Sequence, residues 1–184
     1  MNVVATNLAD VLVIEPKVHG DSRGFFFEAF RTDRYVTHGL PSAFVQDNIS
    51  RSAQGVLRGL HLQNPKSQGK LVSVLRGRVL DVAVDVRLGS PTFGKHVAVE
   101  LNDENRRQLW VPRGFAHGFL VLSESADLFY KCDEFYSPAD EIAVRWNDPV
   151  IGIVWGIDSP SLSARDAAAP LLANVRSLPA YGKP

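Results

Sequence analysis

The sequence predicts an all-β chain closing as a jelly-roll barrel with short peripheral helices, on three observations. Apolar runs of four to eight residues recur at short spacing, turn residues separate most of them, and helical periodicity is nearly absent before the C-terminal part. In order, the runs are Val11 to Ile14, Phe25 to Phe30, Leu71 to Leu75, Val79 to Val86, Val97 to Leu101, His117 to Leu122 and Leu128 to Phe135. Gly89-Ser90-Pro91, Asn102-Asp103 and Asn147-Asp148-Pro149 punctuate them. Gly77, between Leu71–Arg76 and Arg78–Val86, marks a tight hairpin turn, and serial hairpins close most economically as a sandwich or barrel. Ser163, three residues before Asp166 and ahead of an alanine run, opens a short helix through a capping box; beyond Pro170 the chain reads as a surface tail. The 184 residues fit one domain, 1–184, with a barrel core over about 10–150 and short helices and tail over 150–184.

Composition narrows the function classes. Lys plus Arg and Asp plus Glu both count 20, so no bulk field recruits nucleic acid or an anionic membrane, and an anionic ligand must be held by a local cluster. The one cysteine, Cys132, rules out an internal disulfide and points to a reducing compartment. Asp10 and Glu15 stand where a secretory signal needs an apolar run, and no apolar stretch is long enough to span a bilayer. The expectation is a cytoplasmic protein.

Chemistry concentrates between Val56 and Arg87, where His61 and Lys70 stand among β-branched residues. On a strand, positions of equal parity share a face: His61 goes with Gln63, and Lys70 with Val72 and Val74, so both side chains can enter a barrel interior. An imidazole able to take a proton and an ammonium able to stabilise an oxyanion suit enolate chemistry. The residues alone equally allow a hydrogen-bonded core histidine and a lysine reaching solvent. From Leu128 to Tyr136 the even positions share a face, which separates Tyr130 from Tyr136 by about 20 Å if the strand stays extended. A phenol can donate a proton and its ring can stack on a base, although aromatic side chains also simply fit half-buried sheets. Arg23, Arg58 and Arg165 suit phosphate or carboxylate if they converge, and are surface arginines if they do not. His117, delivered by a Pro-Gly turn, raises a metal hypothesis with His61. His61-Leu62-Gln63 lacks the His-x-His of metal-binding cupins, and Lys70 stands where a carboxylate would be wanted, so no metal is expected.

Several blocks in order carry a resemblance. They are Asp21-Ser22-Arg23-Gly24-Phe25-Phe26-Phe27-Glu28, Gln46-Asp47-Asn48, Leu57-Arg58-Gly59-Leu60-His61 and Gln68-Gly69-Lys70-Leu71, followed by Asp81-Val82-Ala83-Val84-Asp85-Val86-Arg87, Pro112-Arg113-Gly114-Phe115-Ala116-His117-Gly118-Phe119 and Leu162-Ser163-Ala164-Arg165-Asp166. From about Asp10 to Leu172 the chain resembles the dTDP-4-dehydrorhamnose 3,5-epimerase family. The resemblance implies a cupin-like double-stranded β-helix that works without a cofactor. It also implies a catalytic set in which His61 is the base, Asp166 orients it, Tyr130 is the acid and Lys70 faces the C4 oxygen. It makes His117 a substrate contact, Tyr136 the ring stacked on thymine, and Arg23, Glu28, Gln46, Asn48, Arg58, Glu141 and Arg165 binding positions for a dTDP-sugar. Arg165 departs from the lysine of many members; its charge is kept but its planar fork differs. The family is commonly dimeric with an exchanged N-terminal strand, a role Val11 to Ile14 can fill, and some relatives epimerise only one carbon. A metal-dependent cupin enzyme is the more distant alternative.

Overall fold

The computed structural model describes residues 1–182 and is built from strands. In chain order they are β1 (Asn2–Ala5), β2 (Leu12–Glu15), β3 (Val18–Asp21), β4 (Gly24–Phe27), β5 (Gln46–Ala53), β6 (Leu57–Gln63), β7 (Lys70–Arg76), β8 (Arg78–Asp85), β9 (His96–Asn102), β10 (Gln108–Val111), β11 (Phe115–Val121), β12 (Ser125–Cys132) and β13 (Glu141–Ala143). Two single-turn helices, α1 (Thr32–Tyr35) and α2 (Ala164–Ala167), lie outside the sheets. One sheet runs β1-β2-β10-β7-β12-β5 and the other β13-β6-β11-β8-β9, while β3 and β4 form a separate hairpin. The all-β expectation is borne out.

Period-two patterning explains the layering. Val72 and Val74 of β7 and Leu128 of β12 share one buried cluster with Val79 and Ala83 of β8 and Phe115, Phe119 and Val121 of β11, so this cluster fills the space between the sheets. The alternate residues Leu60, Leu62, Val82, Val84, Ala116 and Leu120 point the other way, under Val144, Ile151, Trp155, Leu172 and Leu178. Ile14, Leu71 and Trp110 likewise cover the outer face of the six-stranded sheet beneath Tyr35 and Leu40. Gly77 forms the expected β7–β8 turn at φ 82°.

Three expectations are corrected. The run Phe25 to Phe30 yields only β4, and Phe25 and Phe26 are 56% and 71% exposed: the hairpin stands outside both sheets, with no opposing layer to bury it. The run Leu128 to Phe135 ends its strand at Cys132, because Asp133 turns to accept from the Gly69 amide. The segment beyond Pro170 is no surface tail. Leu172 and Leu178 are buried in the outer layer of the five-stranded sheet, and Leu88 and Ala180 form a β-bridge. Val11 to Ile14 gives β2, which pairs with β1 on one side and β10 on the other.

Candidate active site

A cleft opens between the two sheets. One lobe, of about 410 Å³, is lined by Arg58, His61, Lys70, His117, Tyr130 and Asp166 among others. The other, of about 250 Å³, is lined by Gln46, Asn48, His61, Lys70, Tyr130, Tyr136 and Glu141 among others. His61, Lys70 and Tyr130 belong to both, so the lobes meet at those three side chains.

Local backbone geometry sets their directions. Parity would send Arg58 and His61 to opposite faces, yet both line the cleft. The β6–β11 register runs His117↔His61 and then Phe119↔Arg58, so β6 carries one residue more than β11 across this interval. Gly59 absorbs it at φ 128°, where a Cβ would come 2.6 Å from Gly118 Cα; a Cβ on Gly118 would in turn come 2.8 Å from Arg58 O. Only paired glycines allow this approach.

His61 Nε2 lies 2.6 Å from Asp166 Oδ1, and Asp166 is buried. Ser163 Oγ accepts from the Asp166 amide, which is one half of the expected capping box. The carboxylate reaches His61 rather than back to the cap, so Asp166 serves the cleft from the first turn of α2. Burial pushes the Asp166 carboxyl up, but hydrogen bonds from His61, Ser163 and the Gly59 amide hold it below the usual range overall. His117 repeats the arrangement, its Nε2 2.8 Å from Asp81 Oδ1. It stands directly across from His61 in the register.

Lys70 and Tyr130 enter from the opposite sheet, on β7 and β12. Burial is the main force lowering the Lys70 pKa, opposed by Cys132, Glu141 and Asp81. Burial also raises the Tyr130 pKa, which keeps the phenol protonated near neutrality. Arg58 Nε donates to Ser52 Oγ at 3.0 Å. In the second lobe, the Tyr136 amide donates to Gln46 Oε1, Gln46 Nε2 donates to Asn48 Oδ1, and the Tyr136 hydroxyl donates to Glu141 Oε2 at 2.8 Å. Arg165 grips Glu141 at both its carboxylate and its backbone carbonyl. Burial raises the Glu141 carboxyl, but the bonds from Tyr136 and Arg165 outweigh it and the net shift is downward.

The structure therefore gathers His61, Asp166, Lys70, Tyr130, Arg58 and His117 in one lobe and Gln46, Asn48, Tyr136 and Glu141 in the other, with Arg165 attached through Glu141. The extended spacing of Tyr130 and Tyr136 does not occur, because Tyr136 lies in the turn after β12. Arg23 and Glu28 stay outside this cleft: Arg23 pairs with Asp21 beside β4, and Glu28 pairs with Arg34. Asp81 was missing from the sequence-based set, although its shared parity with Val79 and Ala83 marks a carboxylate turned into the core. Both imidazoles are engaged by carboxylates, and no group of three His, Cys, Asp or Glu side chains suited to a metal ion occurs among the described residues.

Comparison with known proteins then decides the family. A family model described as dTDP-4-dehydrorhamnose 3,5-epimerase matches residues 5–174, a span that contains every residue lining the cleft. The chain belongs to the dTDP-4-dehydrorhamnose 3,5-epimerase family. One member, the dTDP-4-dehydrorhamnose 3,5-epimerase of Salmonella typhimurium, is 54% identical over 175 residues, covering 94% of this chain and 96% of that one. The crystal structure of dTDP-6-deoxy-D-glucose-3,5-epimerase RmlC from Legionella pneumophila, in complex with dTDP-4-keto-L-rhamnose, is 52% identical with a TM-score of 0.96 and covers 99% of each chain. ChmJ, a 3'-monoepimerase from Streptomyces bikiniensis solved with dTDP-quinovose, is 37% identical with a TM-score of 0.89 over 96% of this chain and 92% of that one.

Proposed function

We propose that this chain is an isomerase that converts dTDP-4-dehydro-6-deoxy-D-glucose to dTDP-4-dehydro-L-rhamnose, inverting C3 and C5 in dTDP-L-rhamnose biosynthesis. The observation that carries this reading is the cleft to which one sheet brings His61, backed by Asp166 from α2, and the other sheet brings Lys70 and Tyr130. His61 takes the proton alpha to the C4 ketone and becomes imidazolium, stabilised by Asp166. The electron pair moves onto the C4 oxygen, where the Lys70 ammonium stabilises the enolate. Tyr130 then returns a proton to the opposite face of the carbon and becomes phenolate, and both groups reset by exchange with solvent. A general acid or base contributes about 10²- to 10⁴-fold and an oxyanion donor about 10²- to 10³-fold. This chemistry calls on no metal or redox cofactor. The second lobe takes the nucleotide, with Tyr136 as the stacking ring and Gln46, Asn48, Glu141 and Arg165 as contacts, while Arg58 and His117 contact the substrate from the first lobe.

The same proposal makes residues 1–184 one domain, working in the cytoplasm as a homodimer. Arg23 and Glu28, remote from their own chain's cleft, join binding if the β3–β4 hairpin with its exposed Phe25 and Phe26 enters the cleft of a partner subunit. Proton NMR in deuterated water with dTDP-4-keto-6-deoxyglucose tests the activity. Both the C3 and the C5 proton signals should vanish; the likeness to ChmJ favours a second reading, monoepimerisation, in which only one does. Retention of both signals overturns the function.

A further inference from the structure

Asp81 lies below the cleft and takes no part in the chemistry described so far. It is fully buried on β8, its Oδ1 meets His117 Nε2, and its Oδ2 finds no donor among the described residues. A carboxylate in such a place is costly unless charge of opposite sign compensates it. The groups that can compensate it line the cavity above: His117, to which it is bonded, and Lys70, for which no hydrogen bond or ion pair is found among the described residues. We infer that Asp81 is a positioning residue of the epimerase site, fixing the His117 ring and supplying the counter-charge that keeps the Lys70 ammonium beside the ketone oxygen. This inference rests on the proposed epimerase chemistry.

The surroundings support it. Cross-strand from Asp81 are Phe119 on β11 and Val99 on β9, neither of them charged. Lys70 has Arg58 and His61 from β6, His117 from β11, Tyr130 from β12 and Asp166 from α2 around the same lobe, Cys132 directly across on β12, and Glu141 from β13 in the second lobe. Cys132 and Tyr130 have their pKa values raised by burial and are neutral near pH 7, His61 already engages Asp166, and Arg165 and Tyr136 already engage Glu141. Asp81 is thus the anion with a free oxygen, and its charge favours the protonated form of Lys70. A catalytic ammonium buried between sheets loses protonation by desolvation, and an anion beneath it restores that protonation without occupying the cavity.

The test uses protein labelled with ¹⁵N-lysine, the Lys70 side-chain signal being assigned with Lys70→Met, alongside deuterium-exchange kinetics. In Asp81→Asn, which keeps an oxygen for His117, the Lys70 titration midpoint should fall by about one pH unit. The turnover rate near pH 7 should fall about 10²-fold, comparable to loss of one oxyanion donor, while the Kd for dTDP stays that of the parent. An unmoved Lys70 midpoint, or parental turnover, overturns the inference. If Asp81→Asn does not fold, His117→Phe carries the test: with no donor left on that side chain Asp81 serves Lys70 alone, so the midpoint should rise, and an unmoved midpoint overturns the inference. The parent separates the two levels, since a parent that exchanges neither C3 nor C5 refutes the epimerase reading itself.

Discussion

Arg58 and His61 face the same cleft although three positions apart on one strand, because Gly59 gives β6 an extra residue opposite Gly118. The separation between this guanidinium and this imidazole is thereby set by backbone, not by side-chain choice.

Gly59→Ala should therefore do more than local harm. The new Cβ meets Gly118 Cα at 2.6 Å and forces alanine to φ 128°, so backbone strain and overpacking together cost about 2–4 kcal/mol. Chemical denaturation should show this loss, and C3/C5 exchange should fall with it. A variant as stable as the parent would contradict the account of the bulge.

Asp166→Asn should separate orientation from binding. Losing the charge behind His61 removes imidazolium stabilisation while the side-chain shape persists, and replacing an orienting carboxylate costs up to about 10⁴-fold in rate. Exchange at both carbons should fall by roughly 10²- to 10⁴-fold, with dTDP affinity by calorimetry unchanged. His61→Asn should abolish exchange altogether.

Tyr130→Phe tests the division between the sheets. Proton removal by His61 survives, so deuterium should still enter the substrate, but delivery to the opposite face is lost. NMR should find labelled starting sugar and almost no inverted product; inversion at the parental rate would remove Tyr130 from its role.

Acid stability should depend on Asp85, which is buried and accepts from Arg87, Ser90 and Thr92. Burial pushes its carboxyl up, but these bonds outweigh it and bring the pKa to about 2, against 3.8 for the free group. A depressed carboxylate stabilises the fold above the unfolded pKa and loses that contribution as pH falls through the folded one. Roughly 2 kcal/mol should therefore disappear between about pH 4 and pH 2. Asp85→Asn should lower stability at pH 7 and flatten this limb in denaturation curves taken across that range.

The sequence revealed the fold where inward residues are apolar and concealed it where they are not. The β7, β8, β9 and β11 runs alternate or fill with Val, Leu and Ala, and period-two reading finds them and places Lys70 correctly beside Val72 and Val74. The β5 strand escaped because its cleft-facing row is Gln46, Asn48, Ser50 and Ser52, while Ile49 points outward and is 69% exposed. The β3–β4 hairpin misled in the opposite sense, with phenylalanines that its own chain leaves exposed. Parity placed His61 but not Arg58, since a bulge is invisible to a strict period of two. Tyr136 was displaced by a strand end fixed by Asp133 and Gly69, a contact 64 residues apart in sequence.

The polar inner row of β5 has one more consequence. Ser50 Oγ is buried with no hydrogen-bond partner among the described residues, and its neighbours along that row line an open recess rather than a dry interior. That flank of the sandwich contributes little to holding the chain together, a concession of robustness to ligand capture. Cohesion must come from the valine- and leucine-filled half where β7 and β10 face β9, so random substitutions that weaken the protein should cluster there, while those that spare folding yet silence the enzyme gather along the wet half.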